Sequence, residues 1–266
     1  MKPAPFEYRR AGSVAEALRL LGEPDAKALA GGQSLVPLLN FRLARPALLV
    51  DLNPVTELGY VRRSGGVVRI GALTRQAVLE RSEIVARGWP LLREAVANVA
   101  HPAIRNRGTV GGSVAHADPK AELPVALTAL DARFHLRSVR GTRTLAAEEM
   151  FRGPMMTALE ADELLTEIEI PPAPTGSRMA FVEYARTHGD FALAGAAVVV
   201  APGEHAAVAL LGAGSTPRRA AAAERALVEG TDDGEAAALA GAEVEDRYQR
   251  ALVTALVARA LARVRA

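Results

Sequence analysis

The sequence predicts a mixed helix and sheet protein, α+β overall, with an α/β N-terminal part. Two observations carry this prediction. Strand-like and helix-like stretches alternate over residues 6–54, which is typical of parallel strands joined by helices. After the proline-rich stretch 171–176, three strand-like runs precede three helix-like runs, which is typical of an antiparallel sheet packed on helices.

The α/β part begins with a short strand and a capped helix. Ser13 and Glu16 have the spacing of a capping box, and the helix that they begin is expected to end at Gly22. Leucines at helical spacing predict a second helix that begins near Leu35. The predicted strands of this part are residues 6–9, 26–30 and 47–52.

The middle of the chain is predicted to contain a β-hairpin, further helices and a long loop. Ser64, Gly65 and Gly66 supply the turn of the hairpin, and Thr74 is expected to cap the helix that follows. Residues 101–118 are rich in Gly, Asn and His and predict a loop that is too long for a simple connection, hence a functional one. The predicted helices are residues 90–99 and 123–130, and the predicted strands are 133–139, 142–145, 164–170 and the two arms of the hairpin 60–70.

The C-terminal part is predicted to be a three-stranded antiparallel sheet packed on three helices. In the last helix Leu252, Leu256, Ala260 and Val264 recur at every fourth position and form one apolar face. The predicted strands are residues 180–186, 192–201 and 206–212, and the predicted helices are residues 219–229, 234–242 and 246–264.

Composition excludes several classes of protein. The 266 residues include no cysteine, which excludes disulfides, thiolate zinc sites and iron–sulfur ligation within this chain. Basic residues alternate with acidic ones and only 4% of residues are aromatic, which argues against nucleic-acid binding. The N-terminus lacks the apolar core of a signal peptide, and the longest apolar run, residues 191–201, is too short to cross a bilayer. We therefore expect a cytoplasmic protein.

Two glycine-rich loops are the candidate ligand-binding elements. The first, Ala30 to Ser34, lies between a predicted strand and a predicted helix, where paired glycines allow close approach of a ligand and free amides favour an anion. Taken alone, this loop also fits an ordinary tight turn. The second, Gly108 to Ser113, repeats the glycine pair, and two such loops are able to flank one diphosphate while a nearby carboxylate holds a ribose hydroxyl. This combination suggests a dinucleotide.

The common nucleotide-binding motifs are absent from the sequence. No Gly-x-Gly-x-x-Gly follows the first strand, and no Gly-Lys-Ser/Thr of a P-loop occurs. Gly212 and Gly214 partly mimic the dinucleotide fingerprint, but Pro217 stands where the third glycine belongs. The two glycine loops therefore need another explanation.

The sequence resembles the FAD-binding medium subunits of molybdenum hydroxylases, the family of carbon monoxide dehydrogenase and xanthine dehydrogenase. The similarity runs in order along nearly the whole chain, and the paired Gly-Gly loops together with HADP are specific to the family. The matching segments are AGGQSLVPLLNFRLARPALLVDLN (30–53), IRNRGTVGGSVAHADPKAELP (104–124), DELLTEIEIP (162–171), RTHGDFALAGAA (186–197) and LLGAGSTPRRA (210–220).

The resemblance implies a two-subdomain FAD-binding fold of the PCMH type and a C-terminal domain that closes over the flavin. The implied domains are residues 1–56 and 57–170, the two FAD-binding subdomains, and residues 177–266, the C-terminal domain. The implied cofactor is FAD, and because the flavin carries the chemistry, no catalytic side chain is expected.

The resemblance also implies which residues contact FAD. The two glycine loops would wrap the diphosphate, and Glu122 stands where the family usually has an aspartate on the ribose side. His116 and Asp118 would be secondary contacts, and Leu164 or Leu165 would lie near the isoalloxazine ring. The residues expected in the two loops are Ala30, Gly31, Gly32, Gln33, Ser34, Leu35, Thr109, Val110, Gly111, Gly112 and Ser113.

Glu183 departs from the family pattern. Family members often have a lysine near this position, whose charge favours the reduced, anionic flavin, whereas a carboxylate there would disfavour it. Three outcomes are open on the sequence alone: Arg186 replaces the lysine, Glu183 points away, or the redox potential differs from that of relatives.

The implied function is electron transfer within a larger complex. An iron–sulfur small subunit would pass electrons from a molybdopterin large subunit to the flavin, and the external acceptor would be NAD, oxygen or a quinone. The five histidines show no metal-ligand spacing, so we expect no metal in this chain. Ser34 and Ser113 have no His and Asp partners at recognisable spacing, so neither is a candidate nucleophile.

Two other functions are alternatives. A self-contained flavin reductase or oxidase would turn over substrate without partner chains, but it would need its own substrate pocket with acid or base groups, and the sequence shows no convincing set of them. A non-catalytic nucleotide-binding or scaffolding subunit would stay colourless after incubation with FAD.

Overall fold

The computed structural model describes residues 2–201 and 203–266 and contains three main β-sheets. Met1, with which the first predicted domain begins, and Pro202, in the third predicted domain, lie outside the described residues. Buried apolar side chains form one cluster in the N-terminal part, one along the middle sheet and one under the C-terminal helices. In the part of the chain described, no helix has the length and apolarity needed to cross a membrane.

The N-terminal part is a three-stranded parallel sheet with strand order β1-β3-β2, as the α/β prediction requires. The Ser13 hydroxyl accepts the N–H of Glu16 and caps the first helix as predicted. Because β2 and β3 are parallel, the segments that follow them begin at the same edge of the sheet. The elements are β1 (Glu7–Arg10), α1 (Val14–Leu21), β2 (Ala26–Leu29), α2 (Leu35–Asn40) and β3 (Leu48–Asp51).

The middle part is a five-stranded antiparallel sheet with order β4-β5-β10-β6-β7 and helices on one face. Alternation places apolar side chains such as Ile70, Phe134 and Ile168 on the buried face and charged side chains on the other. The strands are β4 (Val61–Ser64), β5 (Val67–Gly71), β6 (Arg133–Ser138), β7 (Gly141–Ala146), β10 (Leu164–Ile170) and the separate pair β8 (Phe151–Gly153) and β9 (Met156–Thr157). The helices are α3 (Gln76–Glu80), α4 (Glu83–Gly88), α5 (Pro90–Asn98), α6 (Pro102–Arg105), α7 (Val110–His116), α8 (Glu122–Ala129) and α9 (Ala147–Met150).

Two local predictions in this part are wrong. Residues 101–118 are not a long loop, because α6 and α7 form within them, and Thr109 caps α7 by accepting the N–H of Gly112 at 3.1 Å. Thr74 does not cap the next helix. Its hydroxyl instead accepts the N–H of Tyr60 and donates to the Tyr60 carbonyl, which ties the hairpin to the chain leading into α3.

The C-terminal part is an antiparallel sheet on three helices, with a two-residue fourth strand, β14, beyond the three that were predicted. Every residue of β12 is buried, because helices cover one face and the middle part covers the other. Leu256, Ala260 and Val264 of the last helix face this core, while Leu252 is partly buried. The elements are β11 (Arg178–Tyr184), β12 (Ala194–Ala201), β13 (His205–Leu211), β14 (Arg218–Arg219), α10 (Ala221–Val228), α11 (Asp233–Ala242) and α12 (Arg247–Arg265).

Candidate functional site

The structure brings the two glycine loops into contact. A Cβ added to Gly31 would lie 2.5 Å from the carbonyl oxygen of Arg107 and 2.8 Å from Cα of Gly108. A Cβ added to Gly112 would lie 3.8 Å from Cβ of Ala30. Because backbone meets backbone here, only glycine fits at position 31. We call residues 30–35 the first glycine loop and residues 108–113 the second glycine loop.

The first glycine loop presents a run of unused amides. Within the described residues, the N–H groups of five consecutive positions, 31–35, donate to no protein acceptor. The next N–H, that of Val36, already donates to the carbonyl of Gly32 at 3.0 Å. Gly32 has φ of +75°, a conformation that side chains other than glycine rarely adopt. Successive free amides at a turn of this kind form a concave receptor for an anion.

The second glycine loop uses its amides internally. The N–H groups of Val110 and Gly111 donate to the carbonyls of Thr74 and Ala72 at 3.0 and 2.8 Å. The N–H of Ser113 donates to the carbonyl of Thr109, the residue that caps α7. A Cβ on Gly111 would lie 2.6 Å from Cβ of Ala72, so this glycine serves packing of α7 against the middle part. Both loops were expected to offer amides to the diphosphate, but only the first has a run of consecutive amides without an acceptor.

Two side chains connect the loops. The guanidinium of Arg75 donates to the Arg107 carbonyl and, at 2.6 Å, to Oδ1 of Asn53. The Asn53 amide in turn donates to the carbonyl of Ala30 at 3.0 Å and to Oδ1 of Asp51 at 2.5 Å. This Arg75–Asn53 brace fixes the distance between the loops before any ligand arrives.

Positive charge at the loops has no ion-pair partner. No carboxylate of the described residues lies within ion-pair distance of Arg75 or Arg107. Burial, followed by repulsion from Arg107, lowers the pKa of Arg75, although Asp51 partly offsets this. Two arginines beside a run of free amides form an environment that favours an anionic ligand.

A buried polar atom without a partner lies beside the second glycine loop, and another lies on β11. Oε1 of Gln76 is buried without a hydrogen-bond partner, beside Gly108, whose added Cβ would lie 2.5 Å from that oxygen. Oε2 of Glu183 is likewise buried and unpartnered. A third such atom, Nε2 of His135, lies on the middle sheet with carboxylates at 3.5 and 3.8 Å. Buried polar atoms are nearly always satisfied in native proteins, so the oxygens of Gln76 and Glu183 indicate a missing partner.

Two carboxyl groups, that of the buried Glu122 and that of the partly buried Glu183, have strongly raised pKa values. Burial, with a contribution from Asp118, raises the pKa of Glu122 to about 7, although its own backbone N–H partly offsets this. Burial and the negative charge of Glu122 raise the pKa of Glu183 to about 8. Both carboxyls are therefore largely or partly protonated near neutral pH.

The remaining predicted residues lie at different distances from the loops. Leu164 and Leu165 are buried in two different apolar clusters, so only their backbone remains to meet a ligand. His116 lies in the last turn of α7, away from the second glycine loop at its start. Asp118 accepts the N–H of Lys120 at 2.8 Å in a local turn. The Gln33 amide donates to the carbonyl of Gly31 and thus stabilises the first loop.

Sequence reasoning missed Asn53, Arg75 and Gln76. Asn53 had a detectable signal, because it directly follows the parallel strand next to the one that ends at the first glycine loop. Arg75 and Gln76 had none, because their position depends on how the hairpin packs against α7.

Two other polar features lie elsewhere. A cavity of about 610 Å³ is lined by the 172–179 linker with Trp89 and Arg263, and neither glycine loop contributes to it. On the exposed face of the middle sheet, ligand atoms of His135, Glu167 and Glu169 lie within 4.8 Å of one another. Arg69 already pairs with both carboxylates, at 3.1 and 2.7 Å, so part of their charge is compensated within the protein.

Several known proteins are similar to this chain. Residues 4–173 match the family described as the FAD binding domain in molybdopterin dehydrogenase. The chain is 48% identical over 238 residues to the 6-hydroxypseudooxynicotine dehydrogenase complex subunit alpha of Paenarthrobacter nicotinovorans, covering 87% of this chain and 80% of that protein. It is 44% identical to the caffeine dehydrogenase subunit beta of a Pseudomonas species, covering 86% and 80%. A solved structure of carbon monoxide dehydrogenase from Hydrogenophaga pseudoflava superposes with a TM-score of 0.93 at 39% identity, covering 99% and 98% of the two chains.

Proposed function

The chain belongs to the family of FAD-binding domains in molybdopterin dehydrogenases, and we propose that it is the FAD-carrying subunit of a molybdenum-containing hydroxylase or dehydrogenase complex. The observation that carries the proposal is the run of unused amides at residues 31–35, held against the second glycine loop. A diphosphate satisfies such amides and the charge of Arg75 and Arg107 together.

The groups of this chain fit FAD. Amides of Gly31, Gly32, Gln33, Ser34 and Leu35 bind the diphosphate, and Arg75 and Arg107 neutralise it. The second glycine loop, from Thr109 to Ser113, closes the other side through its surface and its side chains, because its amides are largely committed to protein carbonyls. The orphaned oxygen of Gln76 accepts a ligand hydroxyl, and Glu122 holds a ribose hydroxyl.

The protein's contribution to catalysis is to bind, orient and tune the cofactor. Bound FAD supplies the redox chemistry, since it takes up electrons in pairs and passes them on. Glu183 and the backbone of Leu164 and Leu165 contact the flavin side, while His116 and Asp118 lie at the margin of the site. The domain division that accompanies this proposal is residues 1–56, 57–170 and 177–266.

The partners follow from what this chain lacks and from its relatives. Without cysteine the chain provides no thiolate for an iron–sulfur cluster, so electrons reach it from another polypeptide. We assign this role to an iron–sulfur small subunit, with a molybdopterin large subunit as the site of substrate oxidation. The external acceptor is NAD, oxygen or a quinone. The relative in Paenarthrobacter nicotinovorans is named as a subunit of a dehydrogenase complex, which supports this assembly.

Flavin titration tests the proposal. Flavin-free chain is titrated with FAD, with FMN and with NAD, and binding is followed by flavin fluorescence and by thermal shift. The proposal predicts one FAD per chain, a raised melting temperature and weaker binding of FMN, which lacks the diphosphate. Chain that stays colourless and gains no stability contradicts the proposal. Turnover by the isolated chain without partner subunits, either oxidation of NADH or oxidation of a candidate substrate by oxygen, would favour the self-contained flavoenzyme.

A further inference from the structure

Glu183 is a partly buried acid with no compensating charge. It lies on β11 on the same strand face as Phe181, whose ring packs into the apolar cluster of the middle part. One of its carboxyl oxygens is buried and without a hydrogen-bond partner. An isolated ionised carboxylate in such surroundings loses its hydration and gains nothing in return.

The elements around Glu183 offer no cation to it. Strand β12, which pairs with β11, has no charged residue between Ala194 and Ala201. On α5, Glu94 accepts the N–H of Phe181 and pairs with Arg263 at 2.6 Å, so both of those charges are already matched.

The other neighbouring charges do not help. Arg93 of α5 and Arg186, which follows β11, are exposed. The first residue of α8, Glu122, acts on Glu183 with a second negative charge, and Asp118 acts on Glu122 in the same sense. Every charge that acts on the pair is thus acidic, which opposes ionisation of Glu183.

We propose that Glu183 works in its protonated form and that its carboxyl donates a hydrogen bond to bound FAD instead of placing a fixed negative charge beside it. This inference rests on the proposed function, because FAD is the acceptor. Of the three outcomes open on the sequence, the buried Oε2 of Glu183 argues against a side chain that points into solvent. A neutral donor avoids the penalty that a carboxylate would impose on the reduced, anionic flavin.

The inference predicts different FAD affinities for two variants of similar size. Glu183→Gln keeps the shape and a donor but never ionises, and Glu183→Met keeps the approximate volume but has no donor. If Glu183 is a neutral donor, the Gln variant at pH 6.5 retains the FAD affinity and midpoint potential of the parent. The Met variant loses about tenfold in FAD affinity, as expected for one lost hydrogen bond in a buried site.

The experiment uses FAD-loaded chain and two readouts, the dissociation constant for FAD and the midpoint potential measured by spectroelectrochemistry at pH 6.5. Glu204→Gln, which neutralises an exposed acid in a turn, is the matched control. A potential that rises in the Gln variant and equally in the Met variant would show an ionised carboxylate and overturn the inference. A Met variant equal to the parent in both readouts would also overturn it, since Glu183 would then not contact FAD. Failure of the parent itself to bind FAD would instead refute the proposed function.

Discussion

The C-terminal part and the glycine-loop region differ in whether their polar and charged groups have partners within the protein. In the C-terminal part the half-buried Arg219 pairs with Glu224 and, at 2.6 Å, with Asp131. At the glycine loops Arg75 lacks a carboxylate partner, Gln76 leaves a buried oxygen unbonded, and a run of amides has no acceptor.

This contrast distinguishes polar groups that stabilise the fold from polar groups that are kept for a ligand. A satisfied network such as that of Arg219 stabilises the fold and needs nothing further. An unsatisfied one costs stability in the free protein and is retained where a ligand completes it. The comparison therefore predicts that substitutions at the glycine loops change FAD binding, whereas those at the Arg219 network change stability.

The largest expected effect is on FAD binding in Gly31→Val. The valine side chain collides with the backbone of Arg107 and Gly108, which separates the two loops, and we expect FAD affinity to fall by ~100-fold or more. Gly88→Val is the control, because no atom lies within 4 Å of a Cβ added there. Circular dichroism verifies that both variants fold.

Gly32→Ala and Gly112→Val extend this test. The first strains a backbone with φ of +75°, and the second places its side chain against the Thr109 hydroxyl that caps α7. Full FAD occupancy in all three glycine variants would contradict the claim that the glycine loops bind FAD.

Arg219→Met should lower stability and leave FAD binding intact. Loss of the guanidinium leaves Glu224 without its cation, and we expect the free energy of unfolding to fall by about 3 kcal/mol in urea denaturation. Arg225→Met, at an exposed position of α10, is the control. An FAD affinity that drops with Arg219→Met as much as with a loop variant would contradict the division into two regions.

Arg75→Ala should reduce FAD affinity by about tenfold, because a charge-assisted contact and the Arg75–Asn53 brace are both lost. The affinity of the parent should also weaken with added salt more steeply than that of the variant. Fluorescence titration at two salt concentrations measures both effects, and the exposed Arg152→Ala serves as control. Equal salt dependence in parent and variant would argue against a diphosphate contact.

The smallest expected effect is a pH dependence of stability in the flavin-free chain. Folding raises the pKa of Glu183 from 4.5 to about 8, so the folded state holds a proton that the unfolded state releases above pH 4.5. The stabilisation is complete below pH 4.5 and is lost as the pH rises toward 8.

The melting temperature of the parent should therefore decline over this range, and that of Glu183→Gln should decline less. Glu122 contributes in the same direction up to about pH 7. Identical pH profiles for the parent and the Gln variant would show that Glu183 is not buried in the folded chain.

Much of this architecture was predictable from local pattern. The Ser13 cap, the hairpin turn at Gly65 and Gly66, and the apolar stripe of α12 are encoded in short stretches, and the structure confirms each. The two helices within residues 101–118 were not predictable in this way. They have only four and seven residues, and tertiary contacts such as that of Gly111 with Ala72 stabilise them.

The site was predictable in part for the same reason. Glycine pairs mark the two loops in the sequence, but nothing in the sequence reveals that amides of the second loop donate to the carbonyls of Thr74 and Ala72. The protonation of Glu183 depends on burial and on Glu122, which is distant in sequence, so the sequence left its charge undecided.

A crystal structure of the chain with FAD tests the central claim most directly. We predict electron density for the diphosphate between the two glycine loops, within hydrogen-bond distance of the amides of residues 31–35 and beside Arg75. Density for FAD at any other surface, with those amides bound only to water, would contradict the account.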